Sequence, residues 1–316
     1  MKTINKFALG SVVAILVGTG ISAATSGGGQ VFASPKEGFD ALVAAVRTND
    51  TKTLMTILGP EGDTIVSSGD PNADQQAGKS FVAAYDAQSK IEQPDPNRAI
   101  LDVGADNWPL PIPMVKDKSG WHFDAAAGKD ELLARRIGRN ELYTMQACLA
   151  YVDAQREYAT KDRGDKVLDY AQRFISTPGK QDGLYWQTAE GQPESPLGPL
   201  FAAAQAKGFD PAKAKAAGVE GRSPYNGYYF RILTEQGPSA KGGAYSYMAN
   251  GKMIGGFALV AYPVNYGNSG IMTFIVNHDG VVFQKDLGPK TTSIAEGMKA
   301  FDPGQGWSKS ASTSGS

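Results

Sequence analysis

Cysteine and histidine are almost missing from this chain of 316 residues, which has one cysteine, Cys148, and two histidines, His122 and His278. A lone thiol forms no internal disulfide, and Cys148 lies in an apolar helical stretch that suits burial. The two histidines are far apart, with no HExxH and no Cys/His cluster, so no metal is expected. Asp162, Asp165 and Asp169 in DRGDKVLD miss the EF-hand spacing. An excess of one charge is also missing: 31 basic residues face 32 acidic ones, which argues against a nucleic-acid partner or a membrane-surface role. No GxxxxGK[ST], GxSxG or Ser-x-x-Lys occurs, and no GxGxxG follows a strand. No cofactor is therefore expected, and the common hydrolase templates fail. YGNSG at 266–270 imitates a protease serine, but Ser269 sits in a glycine turn and His122 in a strand alternation.

Long apolar runs are confined to the start. Lys2 and Lys6 precede an uncharged apolar stretch from Phe7 to Ala24, the pattern of a secretory signal peptide. The cut is expected after Ala23 or after Ala33, and the working boundary is a signal peptide over 1–33. No later segment approaches the ~18 apolar residues of a membrane span. The expected location is periplasmic or extracellular, with no stable membrane span after cleavage.

Glycine is abundant instead, at 38 residues and mostly after position 179, so turns should be dense there. The remaining chain reads as α+β in two domains, 34–128 and 129–307, followed by a disordered tail over 308–316. In the first domain Ser34 and Pro35 start a helix carrying Phe39, Leu42, Val43 and Val46. Thr51 is expected to cap a second helix that ends at Gly59. DTIV reads as a strand, and DQQAGKSFVAAYDAQSKI as a helix. RAILDV, a proline-bearing edge strand in LPIPMVKD, and GWHF then make a small antiparallel sheet. An NTF2-like or cystatin-like layout is expected.

The second domain reads as a long helix packed on a four-stranded antiparallel meander. Its strands are GYYFRIL, FALVAYPV, IMTFIVN and VVFQKD, with a hairpin signal at NHDG. The helical pattern runs from Lys129 to Thr160. Gly138 separates two apolar stripes, so a break is expected there, with Asn140 as the new N-cap. VLDYAQRF reads as a further short helix.

Several long motifs in order carry a resemblance: NWPLPIPMVK, GWHFDAAAGKDELLARRIGRNEL, DGLYW, SPLGPL, GYYFRIL, GGFALVAYPVNYGNSGIMTFIVN and DGVVFQKDLG. Over roughly 36–307 the chain resembles a bacterial secreted family catalogued as domain of unknown function 2950. That resemblance implies a compartment and no chemistry. The second half is also similar to pilin and pseudopilin heads, through Ala154, Gln155 and Tyr158, then Gly227, Tyr228 and Phe230, then Ala261, Pro263, Gly270, Phe274, Asp279 and Gly280. The helix here is internal instead of following the leader, so the similarity implies a soluble domain that reuses the head fold.

Three readings of function follow. The first is a soluble, non-enzymatic binding or assembly module of the cell envelope with a protein or glycan partner. Its candidate binding residues are the aromatics Tyr185, Trp186, Tyr225, Tyr228, Tyr262 and Tyr266. The second is a secreted hydrolase built from turn acids such as Asp182 and Asp279, which requires both to face one cleft. The third is a small-ligand-binding protein with a pocket in the first domain lined by Phe39, Phe81 and Tyr85. In ARRIGRNEL, Glu131 and Arg135 have helical i, i+4 spacing, while Arg136 and Arg139 have no acidic partner nearby. Arg135, Arg136 and Arg139 are expected to ion-pair across a hinge between the two domains.

Overall fold

A computed structural model describes residues 25–26, 29–163, 166–189, 191–206 and 224–310. Most of the leader, Asp165 and the last six residues lie outside them.

Helix α1 (Pro35–Arg47) starts where the sequence signals it. Ser34 Oγ accepts from Glu37 N–H, and Pro35 occupies the first turn, where no amide donor is needed. Helix α2 (Thr51–Leu58) is capped by Asp50, not Thr51: the carboxylate accepts from both the N–H and the hydroxyl of Thr53. A carboxylate is the stronger acceptor of the two neighbours. The DTIV segment, expected as a strand, lies in a short helix, α3 (Gly62–Val66). The strand preference of Thr64, Ile65 and Val66 yields to tertiary contacts that use the Thr64 and Ile65 carbonyls. Helix α4 (Pro71–Ala87) begins at the cap Asp70 and is tied to α1 by a two-pronged Arg47–Asp86 contact at 2.6 and 2.9 Å.

These helices cover one face of an antiparallel sheet of β1 (Ser89–Asp95), β2 (Arg98–Val103), β3 (Met114–Asp117) and β4 (Gly120–Phe123), in that spatial order. Two expectations change here. Residues 89–91 leave the helix for β1, because Gln88 turns extended. β3 lies inside the sheet, not at its edge. Its prolines, Pro109, Pro111 and Pro113, all precede the strand and so remove none of its ladder donors. Phe32, Phe39, Ile57, Leu101, Met114 and Phe123 fill the first core. Phe32 exchanges both backbone bonds with Trp121. A cut after Ala33 would remove Phe32 from the core, so the folded unit extends N-terminal to the 33/34 boundary.

Helix α5 runs unbroken for 34 residues, Ala125–Tyr158, with Asp124 as its cap. The expected break is absent. Gly138 sits on the exposed side, where a Cβ would meet nothing within 4 Å. Asn140 is buried mid-helix, its amide donating to Ser269 O at 2.9 Å. The gap between the apolar stripes is therefore a polar contact and not an end. The first part of α5 packs on the first core through Leu132, and the second part on the other core through Cys148, Tyr151 and Val152.

The second sheet contains β5 (Tyr228–Leu233), β6 (Ala258–Pro263), β7 (Met272–Asn277) and β8 (Phe283–Asp286) as the expected meander. A fifth strand, β9 (Ser308–Lys309), pairs with Phe283 and Gln284. The first residues of the expected disordered tail are thus paired: their backbone satisfies the open edge of β8. One face of the sheet meets α5, where Tyr151 contacts the Phe257 ring at 5.6 Å and donates to Ala258 O. On the other face Arg231 donates to the carbonyls of Ala295 and Met298 at the end of a short helix, Thr291–Gly297. Residues 167–174, expected as a helix, are irregular, with Tyr170 in an isolated bridge to Met253. Gln155, fully buried, both donates to and accepts from the Ala171 backbone, and Tyr170 N–H bonds Met253 O. Burial pushes the Cys148 thiol up to about 12.

Candidate binding groove at the joint

Two cores that share one helix must be fixed in orientation, and polar side chains do this. Arg136, half-buried on α5, donates to Thr64 O at 3.1 Å, to Ile65 O and to the side-chain oxygen of Asn268. Asn268 in turn donates to Ser67 O and Asn265 to Ser68 O. Glu141 accepts the N–H groups of Ile271 and Met272 through one oxygen, at 3.0 and 2.9 Å. Asp70, 1% exposed, accepts from Asn72 and Ala73 as the α4 cap and from Gly227 N–H at 2.9 Å. Burial pushes the Asp70 carboxyl above its ordinary range, against the pull of these donors. Burial also lowers the Arg136 guanidinium, opposed by the charge of Asp74.

The arginine expectation changes accordingly. Arg136 does cross the joint, but to carbonyls and an amide and not to carboxylates. Arg135 pairs with Glu131 on its own helix at 2.6 Å and lies over the Trp108 ring, 4.4 Å from its centroid. Arg139 is exposed and makes no ion pair among the described residues. The contacts that cross the joint are hydrogen bonds to carbonyls and amides, in place of the expected ion pairs.

Beside these contacts is a groove of about 600 Å³. One wall is α4, with Asn72, Gln76, Ser80 and Phe81. Another is the end of the first sheet, with Val103, Asp106 and Trp108. Arg139 and Tyr143 of α5 and the turn Tyr225–Asn226 close it. Asn226 takes φ 48°, a conformation asparagine tolerates.

Of the aromatics singled out from the sequence, only Tyr225 lines this groove. Tyr228 and Tyr262 are core residues; the Tyr228 hydroxyl donates to Met272 O. Tyr185 stacks on Phe201 at 4.2 Å, and Trp186 packs half-buried against the second core. Tyr266 donates to Asp286 at 3.2 Å. The two turn acids are apart from the groove. Asp182 accepts the N–H and hydroxyl of Thr177, and Asp279 sits in a turn beside Asn277. Phe39 is in the first core and Tyr85 reaches Asp40, which leaves Phe81 alone in contact with the groove. Ser269 is fully buried and bonds Asn265 within its turn. Among the described residues no cluster of His, Cys, Asp or Glu could hold a metal ion. No described helix is long and apolar enough to cross a membrane.

Sequence reasoning missed Trp108, Asn72, Gln76, Tyr143 and Asn226. Trp108 sits in a two-residue strand, Trp108–Pro109, paired with Asp102 and Val103.

A family model described as "Protein of unknown function (DUF2950)" matches residues 29–310. No curated protein and no solved structure matches the chain.

Proposed function

The chain belongs to the family described as Protein of unknown function (DUF2950), and on that premise we propose that it is an exported binding module of the cell envelope whose site is the groove at the joint. The leader-like start supports export. Phe32's place in the first core supports a cut after Ala23 over one after Ala33. The observation that carries the binding reading is the composition and placement of the groove. Aromatic rings and uncharged amides converge on a concavity of about 600 Å³, the size of a small-molecule site. Its one buried carboxylate, Asp70, is already committed to the α4 cap and Gly227. A carboxylate so engaged holds the walls together and is a poor general base.

The test is hydrogen exchange of the mature protein with and without the soluble fraction of a digested cell envelope. Protection confined to 72–84, 103–108 and 224–227 is expected, and it should vanish in Ala77→Trp, which fills the groove from its exposed α4 wall. Absence of protection, or protection equal in Ala77→Trp, would sink the reading. N-terminal sequencing of the exported chain checks the compartment: a start at Ala24 is expected, and an intact leader would refute export.

A further inference from the structure

The groove's lining has a chemistry of its own. Trp108 is 41% exposed, high for the largest apolar side chain. Its ring is not loose, because the Arg135 guanidinium covers it at 4.4 Å and Glu131 holds that arginine at 2.6 Å. A cation stacked on one face leaves the ring to offer the other, and Trp108 lines the groove. Phe81, Tyr143 and Tyr225 add further ring surface around the same space.

The polar groups are of a matching kind. Asn72 and Gln76 stand one turn apart on α4, and each both donates and accepts. Asp106 accepts and Arg139 donates. A nucleic acid strand would need a cationic track, whereas Asp70 and Asp106 outnumber Arg139 here. A lipid tail would leave all the amides without partners. A peptide bound by strand addition would need a free sheet edge, but β2, the strand that ends at the groove, is paired on both sides. A sugar ring satisfies both sets at once: its C–H face lies on an aromatic ring, and its rim of hydroxyls donates and accepts in alternation.

We propose that the joint groove binds a neutral saccharide, with Trp108 as the stacking platform and Arg135 as the residue that positions it. This rests on the reading of the groove as the binding site. Arg135 touches the ring and not the sugar, so its loss should act through the mobility of Trp108.

The experiment titrates the mature protein with three tetrasaccharides, of β-linked glucose, β-linked N-acetylglucosamine and α-linked glucose, and with tetra-alanine as a peptide control. The readout is the indole N–H resonance of Trp108, assigned by its loss in Trp108→Phe, together with the backbone resonances of Gln76 and Asn226. A saturable shift of all three with at least one tetrasaccharide is expected. Trp108→Ala should weaken binding about tenfold, which corresponds to ~1.4 kcal/mol, while Trp108→Phe keeps most of it. Arg135→Ala should weaken binding less, broaden the Trp108 resonance and leave thermal stability unchanged. If tetra-alanine moves these resonances and no saccharide does, the sugar assignment falls and the groove reading stands. If no probe moves them while envelope digest still protects the groove, the assignment also falls. If neither happens, both fall together.

Discussion

The second core and the joint are built from opposite materials. Along β6 every residue from Ala258 to Pro263 is buried, and the rings of Tyr151, Phe257, Tyr228 and Phe274 pack around it. At the joint the crossing contacts run through Arg136, Asn140, Glu141, Asn265, Asn268 and Asp70, nearly all to backbone groups. Apolar packing rewards area removed from water and tolerates small rotations. Hydrogen bonds weaken steeply with misalignment. The core therefore supplies most of the stability, and the joint supplies the angle between the halves. That angle shapes the groove.

Three substitutions separate these roles, in falling order of effect. Phe274→Ala empties a fully buried site and should cost ~3–5 kcal/mol, lowering one sharp transition in urea. Arg136→Met keeps the length of the side chain but strands the carbonyls of Thr64 and Ile65. A loss of ~2–3 kcal/mol is expected, at about 1–3 kcal/mol for each buried group left unpaired. Its signature should differ in kind: calorimetry should show the single transition splitting in two as the halves uncouple. A sharp single transition for Arg136→Met would erase the distinction between core and joint. Asp70→Asn is the mildest, since asparagine still caps α4 and only the Gly227 contact is lost, a change of ~0.5–1.5 kcal/mol. It also carries a pH test. The folded-state pKa of Asp70 is raised above 3.8, so its contribution favours the fold fully below that pH. The contribution is lost as pH rises through the elevated value. Asp70→Asn lacks this titration. Urea unfolding at several acidic pH values should show the wild type gaining stability relative to the variant as pH falls. Parallel curves would mean that Asp70 is not held by burial.

Elements whose signals are local were legible from the sequence. The Ser34–Pro35 start of α1 and the apolar runs that form β6 and β7 follow from patterns within a dozen residues. The misses share a cause, which is capture of a segment by distant polar groups. Residues 64–66 turn helical where their carbonyls meet Arg136. Residues 167–174 stay out of a helix where Gln155 binds Ala171, and Ser308 joins a sheet because β8 needed a neighbour. Gly138 misled for the opposite reason. A glycine facing solvent costs the helix ~1 kcal/mol at most and does not stop it when both ends are packed. The arginines were legible as an anomaly, like charges crowded on one helix, but their acceptors are backbone carbonyls, which every sequence contains.

By itself the sequence determined the class of the fold and the two apolar sets that become its cores. Periodicity and capping act over a few residues, and any compact structure must obey them. Only the tertiary structure decided that the helix is unbroken, that the joint is bonded through carbonyls, and that Trp108 meets Gln76, Arg139 and Asn226 around one groove. Those residues come from four separate stretches of chain. Their meeting depends on an angle set by directional bonds, and no local pattern encodes that angle.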